Sequence, residues 1–269
     1  MRRTIGRLQN RRYLVSRPED VNPATSPIIV CFHGGGSNPE SVRWESRFDE
    51  VADANGLTVV YPAGTNRYGG QDRLFWNDGR RYRDGSENTV DDVGFVRALL
   101  GVVQHDPQRT YAAGYSNGAQ FAYRLAQQAS DVFAAVACVA GQRGPKEFFT
   151  PERPISVMQF SGQRDRIAPY WGGAPAVDPM FETNLLPVRE AIGQWAVYNT
   201  CTIASERSVG LASEAKSKSA SGLETILWTL KDGGHTWPGG YAESWRLGPV
   251  NHDIFAANEA AAFFSRHAL

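Results

Sequence analysis

Gly114-Tyr115-Ser116-Asn117-Gly118 sets a serine midway between two glycines, behind the strand-like run Thr110-Tyr111-Ala112-Ala113 and ahead of a helical pattern. A serine on so sharp a strand-to-helix turn stands clear of the backbone, because the glycines omit the Cβ atoms that would strike the adjoining strand and helix. Its hydroxyl is a weak nucleophile at neutral pH. Acyl transfer therefore requires an imidazole to take the proton and a carboxylate to hold that imidazole in one tautomer. The pentapeptide also arises by chance, so its partners decide what it means.

For a serine on this kind of turn the partners follow in the order serine, acid, histidine. Of five histidines, His33 and His105 lie upstream, His267 is near the terminus and His252 heads the last helical pattern. His235 leaves a buried strand on the glycine-flanked loop Asp232-Gly233-Gly234-His235-Thr236-Trp237-Pro238-Gly239-Gly240, where the backbone can bend it over the end of a sheet, and it is the predicted base. Asp165 sits just past another buried strand, between serine and histidine, and is the predicted acid. Asp178 is its competitor farther along, whereas Asp131, Asp232 and Asp253 fall at boundaries where capping accounts for them. The oxyanion of the tetrahedral intermediate would be held by the Asn117 N–H and one from Gly34 or Gly35, in the turn His33-Gly34-Gly35-Gly36. Trp76, Tyr170, Trp171 and Trp237 stand on irregular segments. Each reads either as a ring that stacks on a substrate or as loop packing.

The elements that must position these groups alternate. A hairpin in residues 1–17 turns at Gln9-Asn10, and the continuous apolar run Pro27 to Phe32 has the pattern of a strand covered on both faces. A helix is predicted from about Pro39 to Ala54 with Val42, Phe48, Val51 and Ala52 inward, closed by Asn55-Gly56 and followed by a strand over Leu57 to Tyr61. The stretch Pro62 to Asn88 lacks periodicity, and Asp91-Asp92 reads as the cap of a helix ending near His105. Strands are predicted over Phe133–Val139, Ile155–Phe160 and Leu223–Leu230, helices over Val188–Tyr198 and about Ile254–His267. The Ser/Lys/Ala-rich piece Ser213–Ser221 is predicted to be an exposed linker after an amphipathic strand at Glu206–Ala212. Alternating strands and helices with no internal repeat predict an α/β fold and one domain over residues 1–269.

Composition excludes some functions. Twenty-eight basic residues balance 28 acidic ones, so no field draws the chain to nucleic acid or to an anionic membrane. No apolar run is long enough to span a bilayer, and the N-terminus lacks the apolar region of a signal peptide, which suits an intracellular protein or one whose leader has been removed. The three cysteines have no metal-ligand spacing. Cys31 and Cys138 fall in core-like strands and the pairing of Cys201 stays open. No metal or cofactor is called for, and nothing signals an oligomeric state.

Taken together, His33-Gly-Gly-Gly36, Trp76-Asn77, Val90-Asp91-Asp92-Val93-Gly94-Phe95, Gly114-Tyr-Ser-Asn-Gly118, Gly162-x-x-Asp165 and Gly234-His-Thr-Trp-Pro-Gly239 resemble the polyhydroxybutyrate depolymerase and feruloyl esterase group of α/β-hydrolases, which includes carbohydrate esterase family 1 and LpqC-like esterases. The resemblance runs from about Thr4 to the C-terminal helix. It implies a mostly parallel sheet with helices on both faces, Ser116 as nucleophile, Asp165 as acid, His235 as base, and export from the cell. The interval from Ser116 to Asp165 is nearly filled by one helix and two strands, which leaves no room there for a large lid and suits an ester carried on a large chain. The leading expectation is a serine ester hydrolase working through an acyl-enzyme on feruloyl or acetyl esters of plant polysaccharides. A polyester depolymerase would share every catalytic residue, a serine peptidase would share the triad, and a non-catalytic carbohydrate-binding module would keep the fold without turnover.

Overall fold

The structure, a computed structural model, describes residues 1–66, 73–81, 88–144, 150–176, 184–241 and 244–269. In chain order the elements are β1 (Arg2–Leu8), β2 (Arg11–Arg17), β3 (Ile28–Phe32), α1 (Pro39–Ser46), α2 (Phe48–Asn55), β4 (Thr58–Pro62), β5 (Thr65–Asn66), β6 (Leu74–Phe75), α3 (Asp92–Val102), β7 (Thr110–Tyr115), α4 (Asn117–Gln128), β8 (Ala135–Val139), β9 (Ser156–Gly162), α5 (Val188–Tyr198), β10 (Thr202–Val209), β11 (Ala212–Lys218), β12 (Glu224–Leu230) and α6 (Ala256–Phe264). Ten strands form one sheet in the order β1-β2-β4-β3-β7-β8-β9-β12-β11-β10. The six from β4 to β12 run parallel, and an antiparallel hairpin closes each margin. This is the mostly parallel α/β-hydrolase architecture, with no large lid among the described residues.

Strand periodicity explains why the central runs are apolar without a break. In β3, Ile29 and Cys31 join a core with α1, α2 and α6, whereas Ile28, Val30 and Phe32 join the opposite core with α3, α4 and α5. Both faces are covered, so both sets of positions are hydrophobic. Burial of these side chains stabilises the fold by about 25 cal/mol for each Å² of apolar surface removed from water.

Three predicted elements come out differently, the first being the strand expected over Glu206–Ala212, which instead spans the end of β10, a turn at Gly210-Leu211 and the start of β11. The helix expected over Pro39–Ala54 breaks at Arg47, which has a left-handed φ of 56°. Its guanidinium donates to Gly239 O at 3.0 Å and lies 4.6 Å from the ring centroids of Tyr241 and Phe255, so contacts remote in sequence hold the break. The Ser213–Ser221 linker is largely strand β11, paired on both sides. Small and polar residues hide a strand there because its outer neighbour β10 is exposed along its whole length, and the fixing contacts are ionic, such as Lys216–Glu224 at 2.5 Å. The three cysteines are free. Among the described residues no helix is long and apolar enough to cross a membrane.

Candidate active site

Strand β7 ends at Tyr115 and α4 begins at Asn117, so Ser116 alone makes the turn, at φ 55° and ψ −117°. A non-glycine residue held there is strained by about 1–3 kcal/mol, and the surroundings show what enforces it. A Cβ at Gly114 would collide with the Gly118 carbonyl, and one at Gly118 would collide with the carbonyls of Phe32 and His33. The spacing of the glycines is thus a steric requirement of packing α4 against β3 and β7.

The predicted partners meet on this turn. His235 Nε2 lies 2.8 Å from Ser116 Oγ, and His235 Nδ1 lies 2.8 Å from Asp165 Oδ2. Asp165 projects from the turn after β9, where its Oδ1 accepts from the N–H groups of Ile167 at 2.8 Å and Ala168 at 2.7 Å, leaving Oδ2 for the imidazole. A Cβ at Gly162 would strike the carbonyls of Gly233 and Gly234, so the acid turn and the histidine loop lie back to back only because Gly162 has none. The loop is held further by His235 N donating to Leu247 O at 2.6 Å and by the Tyr115 hydroxyl donating to His235 O at 2.5 Å. Burial, followed by the nearby Glu45 and Asp165 carboxyls, pushes the Tyr115 hydroxyl well above its ordinary pKa, so it stays a donor.

Gly34, Gly35 and Asn117 share one cavity with Ser116 and His235. An added Cβ on Gly34 would come 3.5 Å from Ser116 Cβ, and one on Gly35 would come 3.4 Å from Asn117 Cβ, which places both glycines beside the serine turn. Asn117 is the first residue of α4, whose N–H has no intrahelical acceptor. His33 is wholly buried and clips the glycine turn in place, with Nδ1 2.8 Å from Gly34 O and Nε2 accepting from Gly64 N at 3.0 Å. Burial lowers its pKa to about 4, so it remains neutral.

The remaining candidates fall elsewhere. His252 and Asp232 do not line the cavity, and Asp253 accepts from Leu211 N at 2.6 Å. Asp178 lies outside the described residues. Of the four aromatic residues proposed to stack on substrate, none lines the cavity. Trp76 has no exposed surface, stacks on Phe121 at 5.0 Å and donates from Nε1 to His33 O at 3.1 Å. Tyr170 is buried with its hydroxyl 2.7 Å from Thr229 Oγ1, and Trp237 is buried edge-on against Phe48. Trp171 is exposed but turned against Tyr170 outside the cavity. A wall of Ile167, Ala168, Pro175, Leu185 and Leu247 makes the apolar side of the cavity instead.

Two carboxyls that sequence reasoning passed over, Asp78 and Glu45, and one it read only as a cap, Asp92, are buried or largely buried at or near the site. Asp78, buried, accepts on Oδ2 from Asn117 Nδ2 at 2.6 Å and from Arg80 at 2.6 Å. Burial pushes this carboxyl up, but Arg80 and Arg143 more than offset it and hold it below the usual carboxylate range. The pair Asp91-Asp92 was expected to cap α3, and the two split. Asp91 is the cap, accepting from Gly94 N at 2.8 Å, while the buried Asp92 bonds Arg11 at 2.7 Å and Asn77 N at 2.6 Å. Glu45, at the end of α1, lines the cavity with one carboxylate oxygen buried and unpartnered. Burial raises its pKa to about 7 against the opposing pull of His235. The clue for Asp78 was its place beside Trp76-Asn77; for Glu45 no sequence signal exists, because the break at Arg47 sets its direction.

Residues 12–170 match the family described as esterase PHB depolymerase. NocK of Nocardia uniformis subsp. tsuyamanensis, which carries an esterase name, is 30% identical over 257 residues, covering 87% of this chain and 72% of its own. Feruloyl esterase B of Piromyces equi is 28% identical over 223 residues, covering 78% of this chain, which spans only 39% of that longer protein. The solved acetyl xylan esterase from Aspergillus awamori superposes with a TM-score of 0.63 over 99% of this chain and 100% of its own, at 13% identity, a likeness of fold alone.

Proposed function

The chain belongs to the esterase PHB depolymerase family and is a serine carboxylic ester hydrolase, and on that premise we propose that Ser116, His235 and Asp165 hydrolyse acyl esters carried on polysaccharide chains, acetyl or feruloyl, through an acyl-enzyme. The observation that carries the proposal is the unbroken hydrogen-bond chain Asp165–His235–Ser116 ending on a strained turn that opens into a cavity of about 400 Å³. His235 Nε2 takes the proton as Ser116 Oγ attacks the ester carbonyl, and Asp165 stabilises the imidazolium that forms. The N–H groups of Asn117 and of Gly34 or Gly35 receive the oxyanion. His235 then returns the proton to the departing sugar hydroxyl, and a water repeats the sequence on the acyl-enzyme. The substrate class is supported by the printed activities of relatives and by the open cavity, and the whole chain is read as one catalytic domain.

The test is initial rates on methyl ferulate, acetylated xylan, p-nitrophenyl butyrate and a hydroxybutyrate polymer suspension, each with a Ser116→Ala control. Ser116-dependent release of acetate from xylan or of ferulate is the expected result. Clearing of the polymer without either release would reassign the enzyme to polyesters.

A further inference from the structure

Resting on that substrate reading, we propose that Glu45 is a specificity-determining residue, whose carboxyl binds a free hydroxyl next to the ester on the alcohol half of the substrate. Glu45 lies at the end of α1 and lines the cavity together with Ser116 and His235. Among the described residues no hydrogen bond or ion pair engages its carboxyl, and Oε2 is buried without a partner. The other carboxyls around the site are all engaged: Asp165 with His235, Asp78 with Asn117 and Arg80, Asp92 with Arg11 and Asn77. A carboxyl drawn out of water and given no hydrogen bond is unfavourable, so packing alone does not select it. A bound group supplies what the fold withholds.

The surroundings of Glu45 identify which half of the substrate it meets. A Cβ at Gly240 would strike Glu45 O, so the end of α1 abuts the far end of the histidine loop. The charge that acts on Glu45 is that of His235, and at the Tyr115 hydroxyl, which donates to His235 O, the field of Glu45 outweighs that of Asp165. His235 returns its proton to the departing alcohol, so Glu45 stands on the alcohol's side of the reaction. A sugar ester fits this arrangement. Its leaving alcohol carries a second hydroxyl on the neighbouring carbon, which donates to an ionised carboxyl and accepts from a protonated one. With a pKa of about 7, Glu45 is present in both forms near neutrality. The alcohol released from a hydroxybutyrate polymer carries carbonyl oxygens and no hydroxyl there, so an ionised Glu45 finds no donor. Such a substrate leaves the carboxyl dehydrated and unpaired, which is what makes discrimination by a buried polar group strong.

The test compares 2-hydroxyethyl acetate with 2-methoxyethyl acetate, which share the acyl group and differ in whether the oxygen beside the ester can donate. Each kcat/KM is measured at about pH 8, where Glu45 is mostly ionised, and divided by the ester's own rate of alkaline hydrolysis. Wild-type enzyme should favour the hydroxyl ester by about ten-fold. Glu45→Gln, which keeps an acceptor, should favour it by about three-fold, and Glu45→Ala should not discriminate. The ratio within one variant is insensitive to partial loss of folded enzyme or to a slower His235, so a merely structural role for Glu45 would leave it unchanged. Wild-type values on the two esters within about two-fold of each other overturn the inference, as does a Glu45→Ala enzyme that keeps the full preference. Neither ester needs a polysaccharide. A Glu45-dependent preference in an enzyme that releases nothing from acetylated xylan or methyl ferulate would therefore refute the polysaccharide reading and uphold this one.

Discussion

The serine turn and the Trp76–Asp78 segment lie against each other and are held by opposite means. The turn is set by backbone exclusion, since two glycines without Cβ atoms let α4 close on β3 and β7. The segment beside it is held by buried polar contacts. Asn117 Oδ1 accepts from Trp76 N at 2.8 Å, Asp92 accepts from Asn77 N at 2.6 Å, Arg124 donates to Asn77 O at 2.8 Å, and Asp78 accepts from the Asn117 side chain. A sterically fixed turn tolerates a change of the functional atom without loss of fold. A latch made of charges transmits any change in those charges to the residue after the serine.

The largest effect should come from the turn. Ser116→Ala should lower kcat by about 10⁴-fold or more with melting nearly unchanged, and Asp165→Asn by about 10⁴-fold by releasing the imidazole tautomer. Initial rates beside thermal melts read both, and an Ser116→Ala enzyme that kept appreciable turnover would move the nucleophile elsewhere. Trp76 separates packing from substrate contact: Trp76→Ala should cost about 3–5 kcal/mol in denaturant unfolding, by removing a ring packed among Phe32, Phe121 and His33. A rise in KM without loss of stability would return Trp76 to the substrate. Asp78→Ala should lower kcat by about 10-fold with little change in KM, because it removes the charged partner of the Asn117 side chain and leaves that side chain held by Trp76 alone, loosening the residue whose N–H is assigned to the oxyanion. The comparison breaks if that variant matches wild type, or if its loss of activity persists unchanged in an Asn117→Ala background.

The smallest expected effect concerns pH. Glu45 has its carboxyl pKa raised from 4.5 to about 7 in the folded chain, mainly by burial, so folding favours the protonated form. Its contribution to stability is therefore complete below about pH 4.5 and is lost as pH rises through about 7. Urea midpoints measured from about pH 4 to about pH 8 should slope less for Glu45→Gln than for wild type. Parallel slopes would show that the carboxyl is not held in its protonated form.

The parallel strands, the chain order of the triad and the glycine turns were legible because each depends on short-range rules: strands covered on both faces are continuously apolar, and tight approaches exclude Cβ atoms. Ser116, Asp165 and His235 each follow a strand, so the sheet brings them to one end, and the resemblance agreed with that reading. Three of the four aromatic candidates prove to be packing residues, and the reason is physical. Trp76, Tyr170 and Trp237 stand on irregular segments, as substrate-binding rings often do, but irregular backbone can fold inward when its polar groups find partners, as Trp76 does through Asn117 and His33. Strand β11 was missed because a strand inside an exposed margin needs no hydrophobic pattern.

What the sequence by itself determined is the alternation of buried strands with helices, the sharp serine turn and which aspartate and histidine come within hydrogen-bond reach of it, since these follow from local sterics and strand periodicity. Tertiary structure decided which tryptophans meet solvent, that Glu45 enters the cavity and that Asp78 reaches Asn117. Those outcomes depend on contacts such as Arg47 with Gly239, 192 positions apart. Side-chain direction there is set by the partner's position in space, which no local pattern encodes.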